Sequence, residues 1–257
     1  MKEDMMLTIA TYAFRERIRK KEFYIILLVA VLFFLLYGSG DVSIMINGKT
    51  MSDFDVLFVV LHEALFGVAC ILSFVMSLPT IPNEYERHSS HLVWTRGISQ
   101  IKYHAGLALS NIFVSLLATA FFHVLLALFS IKNGQGDFAL RGLLSLPIMC
   151  VAVCIVSVFT SVLSIRLPRA LTGLLGVVFL FFGVFHGLLR IYESISVGFA
   201  GRILAVMLAV IPDLHGIGAQ ARHLMTGEAF RPHVLWYGLL FLYLLTYGFA
   251  FIRKEQA

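Results

Sequence analysis

Charge is what this chain has least of. Asp, Glu, Lys and Arg make up 14% of its 257 residues and 59% are hydrophobic, whereas a soluble domain carries roughly 25% charged and 45–50% apolar residues. So few charges cannot clothe a water-facing surface; a lipid-facing one needs almost none. The mean hydropathy of +0.88 agrees. Nor does the chain leave room for a large soluble domain, since no stretch between apolar segments exceeds about forty residues, below the usual domain minimum of about 50. Cysteine is scarce as well. Cys70, Cys150 and Cys154 all fall inside apolar runs, and they read as small buried hydrophobes rather than a disulfide or ligands. A nucleotide-binding loop is missing. Gly48-Lys49-Thr50 resembles the end of one, but Ser43 stands where its first glycine belongs, and the segment is expected on the outer side with no strand before it. His62-Glu63 likewise fails as a zinc-protease motif, because Phe66 occupies the place of the second histidine. The net charge of +5 calls for no nucleic acid, because the basic residues follow the membrane rule below.

What remains is apolar helix. A span needs about 20 mostly apolar residues to cross a core of about 30 Å, and six segments qualify: 23–40, 54–81, 105–131, 138–165, 171–189 and 234–252. The first follows a basic stretch ending at Lys21 and reads as an uncleaved anchor rather than a signal peptide. With the N-terminus inside, thirteen of the twenty Lys and Arg residues fall on the cytoplasmic side, among them Arg15, Arg17, Arg19, Lys20, Lys21, Arg87, Arg96, Lys102, Arg166 and Arg169. Both termini are then cytoplasmic. The apolar stretch 195–212 is broken by Gly198, Gly201, Arg202 and Pro212; a seventh span there would put the C-terminus outside, and a helix lying in the outer interface is preferred. Residues 6–21 place Leu7, Ala10, Phe14 and Ile18 at three- and four-residue steps, with Arg15, Glu16 and Arg19 away from them, an amphipathic interfacial helix. In the cytoplasmic loop 83–104, Trp94, Ile98 and Ile101 share a face, with Glu84, Glu86, Arg87 and Arg96 supplying charge for a partner.

Polar residues inside spans are few. Glu63 lies about 14 Å from the start of its helix, and an ionised carboxylate at that depth costs about 2.5–3.5 kcal/mol. It should face a partner, a cavity or water, either lining a polar pathway or serving as a hydrogen bond between helices. His62 precedes it but points about 100° away. His123 and His186 read as packing residues, and His186 with His62 and Glu63 as candidates for lining a pathway. The run Glu84–His91 invites a metal reading, but with Arg87 among its carboxylates and imidazoles it reads as a solvated, partner-binding face. Gly176, Gly183 and Gly187, and the pair Gly106 and Ser110, are steps that let helices approach closely in lipid.

Ile81-Pro82-Asn83-Glu84-Tyr85-Glu86-Arg87, then Thr95-Arg96-Gly97-Ile98-Ser99 and Tyr103-His104-Ala105-Gly106, resemble the type-2 ABC transporter permease family, the six-span membrane subunits of exporters. Gly97 stands where that family usually has proline, and Leu107 where lysine is common. The resemblance implies a single all-α membrane domain over 1–257, with an N-terminal elbow helix at 5–21, a coupling loop at 83–104 and outer-side helices at 191–232. It implies a homodimer or heterodimer of such subunits docked on a cytoplasmic ABC ATPase, which would hold the ATP and magnesium; this chain would carry no cofactor and no catalytic residue. Glu84, Glu86, Arg87, Trp94 and Arg96 would couple to the ATPase. Phe14, Arg15, Arg17, Ile18 and Arg19 would belong to the elbow, and Gly176, Gly183 and Gly187 would be candidate dimer contacts. An intramembrane enzyme using Glu63, His62, His123 or His186, and a non-catalytic membrane anchor or signalling partner, are the alternative readings.

Overall fold

The computed structural model describes residues 4–38, 44–46, 49–51, 54–86, 97–196 and 198–251. Arg87, Trp94 and Arg96, and with them residues 88–91 of the carboxylate–imidazole run, lie outside the described residues. In order, the elements are α1 (Asp4–Ile18), α2 (Lys21–Gly38), β1 (Ile44–Ile46), β2 (Lys49–Met51), α3 (Phe54–Ser77), α4 (Thr80–Glu86), α5 (Gln100–Lys132), α6 (Gly136–Arg166), α7 (Arg169–Val184), α8 (His186–Ile195), α9 (Phe199–Val210), α10 (Leu214–Thr226) and α11 (Pro232–Phe251). The strands form an antiparallel hairpin with Ile44 opposite Met51. A strand therefore does precede Lys49, contrary to the sequence expectation. The segment is still no phosphate loop, because that motif continues into a helix and this one continues into β2.

Three helical stretches among the described residues are long and apolar enough to cross a membrane: 56–86, α5 and α6. The number rises to five if each bent pair, α7 with α8 and α9 with α10, counts as one span. α2 and α11 are apolar helices of 18 and 20 residues. The fifth segment does not run unbroken through 171–189 as expected. It bends by 76° between α7 and α8, at Phe185, whose φ of −94° and ψ of 16° leave the helical region. Gly183 and Gly187 flank the break, and glycine is a weak helix former and a usual site of kinks. α9 has 12 residues, about 18 Å of helix, too short to cross the core alone.

α3, α5 and α6 form the centre. Phe58, Leu61, Phe122, Leu126 and Phe129 pack where α3 meets α5. Phe66, Met149, Ile155, Leu214 and Ile217 pack where α3 and α6 meet α10. Hydroxyls and one amide stitch the helices together in this apolar interior. Ser73 Oγ donates to Val153 O (2.9 Å), Ser77 and Ser157 hydroxyls pair at 3.0 Å, and Thr80 Oγ1 donates to Asn111 Oδ1 (2.9 Å). Asn111 Nδ2 in turn donates to Ser161 Oγ (3.3 Å). Each such bond between buried helices contributes about 0.6 kcal/mol on average. Outside, Leu28 of α2, Leu117 and Leu128 of α5, Val177 of α7 and Leu240 and Leu244 of α11 are each at least 45% exposed. In water so much exposed apolar surface would drive association; in lipid it faces its own solvent.

Candidate functional site

Glu63, the tenth residue of α3, meets two side chains from α10. His215 and Arg222 are seven residues, two turns, apart and so share a face of that helix. Arg222 Nη1 donates to Glu63 Oε1 at 2.7 Å, and His215 Nδ1 lies 3.4 Å from Oε2, so each carboxylate oxygen has a nitrogen facing it. His62 Nδ1 is 3.9 Å from Oε1. His62 is wholly buried, and among the described residues neither of its ring nitrogens has a hydrogen-bond partner. The Glu63 and Arg222 side chains are 27% and 18% exposed, so the pair sits at the edge of the protein interior. Glu63 thus joins α3 to α10, across 159 residues of sequence.

His186 belongs to a second group. It opens α8 just after the break, and its Nε2–H donates to Leu208 O (3.1 Å) while Nδ1 lies 3.5 Å from Asp213 Oδ2. Asp213 also caps α10, accepting from Gly216 N (2.6 Å). With Arg190, His233 and Tyr237 these residues line a cleft of about 260 Å³. His123 is held by Ser145 Oγ at 3.1 Å. Among the described residues no three of His, Cys, Asp and Glu stand together in an arrangement that could hold a metal ion.

At the other end, α4 is tied to the start of α5. Tyr103 OH donates to Glu84 Oε2 (2.5 Å), Tyr85 OH pairs with His104 Nε2 (2.8 Å), and Gln100 Nε2 donates to Tyr85 OH (3.1 Å). Glu86 is exposed. The undescribed residues 87–96 therefore spring from a base closed by hydrogen bonds.

α1 packs against α5 with the face its apolar spacing suggests at Ala10, Phe14 and Ile18, but not at Leu7. Leu7 is 53% exposed, while Ala10 is buried and Ile9 sits over Gly106, where a Cβ would stand 3.0 Å from Ile9 Cγ2. Phe14 meets Phe113 edge-on at 6.2 Å, Ile18 packs on the α3–α5 core, and Arg15 and Arg19 are exposed. Arg17 turns inward. It is 5% exposed and its Nη1 donates to Met76 O at 2.6 Å, satisfying a carbonyl in the last turn of α3 that has no partner within that helix.

The glycines of α7 and α8 are covered within this chain. Phe74 lies over Gly176, a Cβ on Gly183 would stand 2.7 Å from Leu214 Cγ, and one on Gly187 would reach His215 at 3.7 Å. The close approach they permit is to α3 and α10, so Gly176 and Gly183 offer no open face to a second subunit. Sequence reasoning missed Arg222, His215 and Asp213; the seven-residue spacing of His215 and Arg222 was the available signal. No protein-family model matches the chain, and no curated protein matches its sequence.

Proposed function

We propose that this chain is the membrane-spanning permease subunit of an ATP-driven exporter, working as a dimer with a separate ATPase. Its six spans would be α2, α3 with α4, α5, α6, α7 and α11, with both termini cytoplasmic and the segment 191–232 capping the outer end. The observation that carries this reading is a mechanical one. A single helical stretch, 56–86, bears the hydrogen-bonded base of the loop at one end (Glu84 to Tyr103, Tyr85 to His104) and the ion pair to the outer segment (Glu63 to Arg222) further along. Twenty-one residues of helix separate Glu84 from Glu63, about 32 Å. A push on the loop is passed to α4 and α5 together, and α3 carries it to the outer segment. Supporting features are α1, a helix set against α5 and ahead of the first span, and the short bent helices α8 to α10. The chain itself performs no covalent chemistry in this scheme; ATP hydrolysis belongs to the partner.

The test is co-purification in mild detergent with the products of neighbouring genes, followed by an ATPase assay. An associated ATPase is expected, with its substrate-stimulated activity lowered when Glu84 and Glu86 are both replaced by Lys, and lowered less by Tyr103→Phe, which removes one link of the base. A chain that purifies alone, with transport or other activity abolished by Glu63→Gln, would replace this reading with intramembrane chemistry at Glu63, His62 and His215.

A further inference from the structure

Where α1 turns into α2, a hollow of about 530 Å³ opens against α3 and the start of α7, within the roughly 300–1,000 Å³ range of small-ligand sites. Five of its lining side chains are cations: Arg17, Arg19, Lys20, Lys21 and Arg169. Among the described residues no carboxylate lines it, and none lies within ion-pair distance of Arg19, Lys21 or Arg169. Arg17 is the fixed element, buried and bonded to Met76 O. The like charges of Arg19, Lys21 and Arg169 around one hollow repel one another, and an anion placed between them reverses the sign of that energy.

The hollow is not polar throughout. Val75 lines it and is 37% exposed, and Ile71, four residues back on the same face of α3, is 54% exposed. A cationic pocket therefore continues directly into an apolar strip running along a helix toward the membrane interior. A free phosphate or nucleotide has no use for that strip, whereas an acyl chain does.

We propose that this hollow binds an anionic phospholipid, its phosphate head group among Arg19, Lys21 and Arg169 and one acyl chain along Val75 and Ile71. The site rests on the chain's being a membrane protein and not on the exporter reading. Basic pockets between helices on the cytoplasmic side take anionic head groups for this physical reason. The bound lipid joins three parts that few other contacts join here: the α1–α2 junction, the end of α3 and the start of α7.

The test uses the full chain in detergent micelles, titrated with dioleoylphosphatidylglycerol or dioleoylphosphatidylcholine, with bound lipid counted by native mass spectrometry. Phosphatidylglycerol should be retained at least tenfold more strongly than phosphatidylcholine. Each cation near the surface is worth about a fivefold change in affinity, so replacing Arg19, Lys21 and Arg169 together by Gln should weaken phosphatidylglycerol on the order of a hundredfold. Arg19→Lys with Arg169→Lys, which keeps the charge, should change it only a few-fold. Equal retention of the two lipids by the unaltered protein would overturn the proposal even if the triple variant fails to fold, and so would a folded triple variant that binds phosphatidylglycerol normally. Displacement of the lipid by millimolar inorganic phosphate would assign the hollow to a soluble anion and overturn the lipid site.

Discussion

Replacing Arg222 by Ala leaves the Glu63 carboxylate with His215 at 3.4 Å and His62 at 3.9 Å as its basic neighbours among the described residues. The size of the loss follows from where the pair sits. Fully exposed ion pairs contribute about 0.2–1 kcal/mol, while removing one partner of a buried pair costs about 3–5 kcal/mol. With the two side chains 18% and 27% exposed and a nitrogen–oxygen distance of 2.7 Å, this pair lies between those limits, and about 2 kcal/mol is expected for Arg222→Ala. Glu63→Gln should lose about the same, because it strands the guanidinium instead. In the double variant neither group is stranded, so the combined loss should be about 2.5–3 kcal/mol rather than about 4, a coupling of about 1–1.5 kcal/mol. The assay is unfolding by sodium dodecyl sulfate in maltoside micelles, followed by helical circular dichroism for the parent, both single variants and the double. Additive losses, within about 0.5 kcal/mol, would refute the claim that this pair holds α10 to α3.

Two further contrasts test the packing by thermal melting in micelles. Gly183→Ala puts a Cβ 2.7 Å from Leu214 Cγ and should cost about 1–3 kcal/mol; Gly67→Ala, with nothing within 4 Å of the new atom, should leave the melt unchanged or raise it, since alanine is the better helix former by about 1 kcal/mol. Arg17→Met removes one of two donors to Met76 O, Thr80 Oγ1 being the other, and should cost about 1–1.5 kcal/mol, whereas Arg15→Gln on the exposed face should stay within about 0.5 kcal/mol. Equal effects within either contrast would refute the burial assigned to these residues.

The helices were legible because lipid leaves the backbone no other way to satisfy its hydrogen bonds; three of the apolar segments reappear as helical stretches long enough to cross a membrane, 56–86, α5 and α6, while the fifth is broken at Phe185. Their faces were less legible. Apolar spacing pointed α1 inward through Leu7, Ala10, Phe14 and Ile18, and of these four Leu7 alone faces out, the small Gly106 on α5 admitting Ile9 in its place. Arg17 was counted as a cytoplasmic charge because counting cannot see that a long side chain reaches an unsatisfied helix end. The break at Phe185 carries no proline to announce it. For Glu63 the need for a partner followed from burial energetics alone, yet the partner lay 159 residues away on a helix placed by the bend before it. No local pattern encodes such a meeting.

The row of hydroxyls between α3 and α6 bears on how those helices can move. Ser73 and Ser77 on one helix face Val153 and Ser157 on the other, each step being four residues, about one turn. Ser161, four residues further, is engaged through Asn111 with Thr80. Sliding α3 along α6 by a small fraction of a turn would leave several polar groups unpaired among apolar side chains, whereas a slip of a whole turn, about 5.4 Å, would set Ser73 against Ser157 and Ser77 against Ser161. The interface is thus notched rather than smooth. A fractional slide along it costs hydrogen bonds that a shift of one turn would in part restore.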